Sequence, residues 1–114
     1  MIYNLGLRMN SAVIVAGGIG KRANPSTPKQ FIKINSQNRI IDYSIKLLAI
    51  NQYVDQIIIV VCEGWDEIIS HENPNCKVVI GGETRTESVF RGLKECSEDC
   101  NHVLIHDAAR PFIT

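Results

Sequence analysis

Three short segments hold most of the residues in this sequence that could bind or transform an anionic ligand. The first runs Ala16-Gly17-Gly18-Ile19-Gly20-Lys21-Arg22 and is followed by Pro28-Lys29-Gln30. Glycines let backbone N–H groups come close to a phosphate, and Lys21, Arg22 and Lys29 place positive charge where a triphosphate needs it. The spacing fits neither the GxxxxGK[ST] phosphate loop nor the GxGxxG dinucleotide loop. A tight turn carrying solvated cations has the same composition. The second segment is Gly81-Gly82-Glu83-Thr84-Arg85-Thr86-Glu87-Ser88. Its paired glycines and the helix start that follows offer backbone donors, and Ser88 adds a hydroxyl on the first turn. An ordinary turn, with Thr84 or Thr86 as cap and Glu87 at the positive end of the helix, is the alternative. The third segment is His106-Asp107-Ala108-Ala109-Arg110-Pro111. Asp107 could hold Mg²⁺ against phosphate oxygens, and Arg110 could clamp a phosphate or a hydroxyl. A plain Asp107–Arg110 ion pair would use the same residues.

The elements that must position these segments alternate between strand and helix. Residues 11–15 (SAVIV) form a continuous apolar run ending in glycines, as a strand buried on both faces requires. Residues 41–50 place Ile41, Ile45 and Leu48 at helical spacing. Strands are expected at 56–62, 77–80 and 102–106, a short helix at 65–70 and a longer one at 87–96. This order predicts an α/β fold, a mostly parallel sheet flanked by helices with right-handed crossovers. Ligands of such sheets bind at the carboxyl ends of the strands, where all three segments fall.

Composition narrows the function classes. The chain has 114 residues, 45% of them hydrophobic and 21% charged, values typical of one globular domain. Twelve basic and twelve acidic residues cancel, so no overall field draws the chain to nucleic acid or anionic lipid. The apolar run Ala12 to Ala16 is far too short to span a bilayer, and the expected location is the cytoplasm. In that reducing compartment Cys62, Cys76, Cys96 and Cys100 are expected as free thiols. Cys96, Cys100 and His102 supply only three of the four ligands that a structural zinc site needs. His71 and His102 read as surface or strand-end residues, and Trp65 as a side chain packed against the sheet.

Taken together and in this order, AGGIGKR with PKQF, GGETRTESVFRGL and HDAARPF resemble the bacterial polyol-phosphate cytidylyltransferases. They are most similar to the 2-C-methyl-D-erythritol 4-phosphate cytidylyltransferase family of the non-mevalonate isoprenoid pathway. The ribitol-5-phosphate cytidylyltransferases share the general plan, but HDAARP and the Ser88-Val89 pair look more like the erythritol family. The resemblance spans Ser11 to Thr114 and implies a Rossmann-like nucleotidyltransferase fold, of the nucleotide-diphospho-sugar transferase type. It also implies CTP and a polyol phosphate as substrates, Mg²⁺ or another divalent cation as cofactor, and a homodimer.

Carried over residue by residue, Ala16, Gly17, Gly18, Ile19, Gly20 and Lys21 would wrap the CTP phosphates, with Arg22 and Lys29 as catalytic cations. Gly82, Glu83 and Ser88 match positions that read the cytosine ring, largely through backbone groups. Asp107 matches the carboxylate near metal and polyol, and Arg110 a residue on the substrate side. Two positions depart from the family: Ala23 stands where Met is usual and Glu83 where Asp is common, and neither change removes a charge. Family members are roughly twice as long, so residues 11–114 are expected to be the CTP-binding half, truncated. On its own that half is expected to be inactive or poorly soluble, and an inactive nucleotide-binding remnant is the rival outside the enzyme class. Residues 1–10 are expected to be an N-terminal extension, with Met9 an alternative start.

Overall fold

The computed structural model describes residues 9–16, 31–96 and 100–107. Strand β1 (Met9–Ala16) leads through a long connection to helix α1 (Ile40–Ala49). Then follow β2 (Gln56–Val61), α2 (Asp66–Glu72), β3 (Lys77–Ile80), α3 (Arg85–Lys94) and β4 (Cys100–Asp107). The strands form one sheet in the order β3-β2-β1-β4, and every neighbouring pair is parallel. The predicted alternation and parallel sheet are thus present, and no strand or helix expected from the sequence is missing. Boundaries move by a residue or two. Strand β1 starts at Met9 and β4 at Cys100, because ladder bonding extends past the apolar core of each strand, with an irregularity between Met9 and Asn10. Helix α3 starts at Arg85, ahead of the expected start at Glu87, since Thr84 rather than Thr86 is its cap.

Two cores lie on the two faces of the sheet. On one face Ala12, Ile14, Ala16, Ile59 and Val61 pack against Ile41, Ile45 and Leu48 of α1, Ile69 of α2 and the buried Phe31. On the other, Val13, Val15, Ile58 and Val60 meet Val79, Val89, Cys96 and Ile105. Adjacent residues of β1 and β2 therefore serve opposite cores, which explains why these strands read as unbroken apolar runs. Helix α3 comes close to the sheet through Gly92: a Cβ there would lie 2.5 Å from Val13 Cγ1 and 2.9 Å from Val60 Cγ2.

The connection entering α1 contains a small antiparallel hairpin that sequence patterning does not reveal. Lys33 and Arg39 form its bridge. The Asn35 side chain accepts from the backbone N–H groups of Gln37 and Asn38, each at 2.9 Å, and so closes the turn. Among the described residues no helix is long and apolar enough to cross a membrane. Cys62 and Cys76 are free thiols, as expected.

Candidate active site

The topology decides what can converge. Helices α1 and α2 carry the chain from β1 outward to β2 and β3 over one face, and α3 returns it over the other face to β4. The strand order thus reverses between β1 and β4, and a crevice at the carboxyl ends of these two strands is where such sheets bind ligands. Val15 pairs with both Val60 and Asp107, and Val60 with Val79. Ala16 at the end of β1, Gly81 after β3 and Asp107 at the end of β4 therefore lie at one edge of the sheet, within a residue of the same level. Neighbouring strands are about 4.8 Å apart, so the outermost of these three positions are separated by roughly the length of a nucleotide.

The Gly81–Ser88 turn is built almost entirely by its own side chains. The Gly82 N–H donates to Ser88 Oγ at 3.1 Å, and the Glu83 N–H donates to Glu87 Oε1 at 2.7 Å. Glu87 also accepts from the Thr84 N–H at 3.4 Å while its own N–H donates to Thr84 Oγ1 at 3.1 Å, which completes a capping box. From the next turns of α3, Arg91 Nη1 donates to the Gly81 carbonyl at 3.1 Å and to that of Ile80 at 3.4 Å. Gly81 has no left-handed backbone here. It is glycine because a Cβ would run into the Ser88 hydroxyl and lie 2.8 Å from Val60 Cγ1. The result is a turn fixed before any ligand arrives. Ser88 is fully buried, whereas Glu83 is exposed at the rim.

Asp107 is half-buried at the end of β4. By register it faces the same side of the sheet as Val15, the side on which α3 packs. The residue before it faces the other way: His106 is buried and shares a hydrogen bond of 2.8 Å between Nε2 and the hydroxyl of Ser44, itself fully buried on α1. Burial pushes the His106 imidazole below its ordinary pKa, and the Asp107 carboxylate pulls weakly the other way. The pair ties α1 to the strand that presents Asp107.

The end of the first loop is held by a third cluster. Phe31 is fully buried and stacks on Trp65, with ring centroids 4.6 Å apart. The Arg39 guanidinium lies over the Trp65 ring at 5.2 Å and grips the Glu72 carboxylate with two bonds of 3.0 Å. Trp65 packs against the sheet core, as its sequence context predicts.

Among the sites predicted from sequence, Ala16, Gly82, Glu83, Ser88 and Asp107 are thus brought to one edge of the sheet. Gly17, Gly18, Ile19, Gly20, Lys21, Arg22, Lys29 and Arg110 lie outside the described residues. Sequence reasoning passed over Ser44, Arg91 and His106 as site-building residues. For Arg91 a signal existed, since it stands three residues after Ser88 on the same helix. Ser44 and His106 are 62 residues apart, and nothing local links them. Among the described residues no group of three His, Cys, Asp or Glu side chains could hold a metal.

Comparison with known proteins agrees with this architecture. The family model for 2-C-methyl-D-erythritol 4-phosphate cytidylyltransferase (IspD) matches residues 10–114. The enzyme of that name from Clostridium botulinum is 43% identical over 111 residues, covering 92% of this chain and 48% of the relative. The crystal structure of the Francisella tularensis 2-C-methyl-D-erythritol 4-phosphate cytidylyltransferase superposes with a TM-score of 0.71 at 31% identity, over 93% of this chain and 46% of that one. The 4-diphosphocytidyl-2C-methyl-D-erythritol synthase of Anaerococcus prevotii superposes with a TM-score of 0.76 at 27% identity, over 96% and 47% respectively. The chain spans about half the length of the curated relatives it matches. With the sheet order and the motifs in agreement, this chain belongs to the 2-C-methyl-D-erythritol 4-phosphate cytidylyltransferase family.

Proposed function

We propose that these residues form the nucleotide-binding half of a cytidylyltransferase that moves CMP from CTP to 2-C-methyl-D-erythritol 4-phosphate. The observation that carries the reading is the position of Ala16, where the first motif begins, and of Asp107 in the third, at the carboxyl ends of the two strands flanking the reversal of strand order. The fixed Gly81–Ser88 turn stands at the same edge.

In this reaction a phosphate oxygen of the polyol phosphate attacks the α-phosphorus of CTP. A new P–O bond forms, the bond from the α-phosphorus to its bridging oxygen breaks, and pyrophosphate leaves with that electron pair. Both reactants are anions, so the barrier comes from repulsion and from charge gathering on the five-coordinate phosphorus. Arg22 and Lys29 are assigned to neutralise that charge, and the backbone from Ala16 to Lys21 to hold the phosphates. Asp107 would hold Mg²⁺, which supplies charge neutralisation on phosphate oxygens. Arg110 is assigned to the polyol side. Gly82 and Glu83 border the cytosine side of the crevice, and the buried Ser88 hydroxyl keeps the Gly82 N–H in place.

A cytoplasmic homodimer is the proposed setting. The free thiols suit a reducing compartment, and CTP is an intracellular nucleotide. The test is pyrophosphate release by the full-length protein with CTP and Mg²⁺, comparing 2-C-methyl-D-erythritol 4-phosphate with ribitol 5-phosphate. Turnover with the erythritol phosphate is expected. Preference for ribitol phosphate, or release with neither, overturns the reading.

A further inference from the structure

Ser44 and His106 are polar residues buried on an apolar face of the sheet. His106 pairs with Ile14 in the β1–β4 ladder and so points to the side lined by Ala12, Ile14, Ile41, Ile45 and Leu48. Ser44 is fully buried and His106 only 4% exposed, so neither turns to water. The 2.8 Å bond between the Ser44 hydroxyl and His106 Nε2 satisfies both groups. Two apolar side chains of similar shape would fill this space at little cost in stability, because a buried hydrogen bond largely replaces one made with water. What they would not supply is direction. A hydrogen bond weakens steeply as its angle closes, so it fixes orientation as well as distance, whereas apolar contacts slide.

Direction matters at this strand. Among the described strands β4 has one neighbour, β1, so its ladder is held along one edge and resists roll about the strand axis only weakly. Asp107 follows His106 and carries its carboxylate to the opposite face, where α3 packs, so a roll of the strand end swings that carboxylate. Helix α1 grips the strand from the other face one residue earlier, about 3.8 Å away between Cα atoms. We infer that Ser44 and His106 are positioning residues whose hydrogen bond fixes the orientation in which β4 presents the Asp107 carboxylate. The tether stands on the geometry alone, and its consequence for turnover rests on the proposed cytidylyl transfer. A shift of a reacting group by about 1 Å is enough to cost about a hundredfold in rate.

The experiment uses the full-length protein in five variants: Ser44→Ala, His106→Leu, the two combined, His106→Gln and, as a remote control, Lys77→Ala, which opens the exposed Lys77–Glu95 pair. Glutamine is chosen because its terminal amide reaches about as far as the imidazole Nε2 and can bond to Ser44. The readouts are the urea midpoint, hydrogen exchange in peptides covering 104–107 and, separately, β2 and β3, and kcat and KM for CTP. Each single apolar variant leaves one polar partner buried alone and should lower the urea midpoint. The combined variant should regain most of that midpoint, yet exchange at 105–107 should stay about tenfold faster than in wild type, with β2 and β3 unchanged. Its kcat should be about tenfold to a hundredfold down with KM for CTP within about threefold, since the groups assigned to the nucleotide are untouched. His106→Gln should recover most of what His106→Leu loses, and Lys77→Ala should match wild type.

Wild-type kcat in the combined variant overturns the inference, because the pair would then serve stability alone. Faster exchange throughout the sheet overturns it as well, as does a fall in kcat without loosening at 105–107. His106→Gln no better than His106→Leu also overturns it, since the imidazole and not the bond would then be required. Should the combined variant fail to fold, Ser44→Ala set against His106→Gln decides by the same exchange and kinetic readouts. If the wild-type protein releases no pyrophosphate, the proposed reaction fails, while the exchange data still decide whether the tether exists.

Discussion

At the residue scale, the chemistry proposed for this chain depends on cations that stand close to one another in sequence and on one carboxylate far from them. Lys29→Ala in the full-length protein is expected to cut pyrophosphate release by on the order of 10² to 10³, in line with the loss of one preorganised charge-stabilising group. Its circular dichroism spectrum should be unchanged. Turnover within a few fold of wild type would remove Lys29 from the reaction. Glu72 yields a second expectation at this scale. Its carboxyl is depressed below the ordinary value of 4.5, first by hydrogen bonding to Arg39. The contribution is therefore complete above that pH and is lost as pH falls below it, where the unfolded chain takes up the proton more readily than the folded one. Urea titrations from pH 5 downward should show Glu72→Gln losing stability less steeply than wild type. Parallel slopes would mean that the ion pair does not contribute.

At the scale of elements, two glycines allow close approaches to and by α3, one within the helix and one in the turn before it. Gly92 lets the helix lie against Val13 and Val60, and Gly81 admits the Ser88 hydroxyl beneath the turn. Gly92→Ala would gain helix propensity, yet the new methyl would lie within 3 Å of two valine side chains, and overpacking of that kind costs about 1 to 3 kcal/mol. A lowered urea midpoint with an unchanged slope is the expected result, and a raised midpoint would show that the contact relaxes freely. Thr84→Ala removes the side-chain acceptor of the Glu87 N–H and should cost about 1 kcal/mol. Because Glu87 also fixes the Glu83 N–H, this change should loosen the Gly81–Ser88 turn as well as the helix end. Faster amide exchange at residues 82–84 would report it.

At the scale of the whole molecule, β4 has a single neighbour among the described strands, β1. Its Leu104 is 50% exposed and Val103 36% exposed, on opposite faces of the strand. A long edge strand with apolar side chains on both faces invites pairing with another chain. The 114-residue chain prepared by itself is therefore expected to self-associate, and Leu104→Lys to reduce that association, as sedimentation velocity would measure. A wild-type fragment that stays monomeric at high concentration would show the edge to be harmless.

Much of this architecture is legible in the sequence because it depends on local rules. Unbroken apolar runs can satisfy a strand only when both of its faces are covered, so 11–15 and 56–62 announce a parallel sheet before any contact is known. A threonine before Glu87 announces a helix start, and the order of motifs announces the family. What the sequence leaves open depends on separations it does not encode. Two candidate caps, Thr84 and Thr86, are equivalent until the Glu87 side chain has chosen one. The bond between Ser44 and His106 exists only because α1 and β4 are brought together across β1. Arg39 reads as an ordinary charged residue before a helix. Folding alone sets it among Phe31, Trp65 and Glu72, since burial and topology, rather than neighbours in the chain, decide which partner a long cationic side chain can reach.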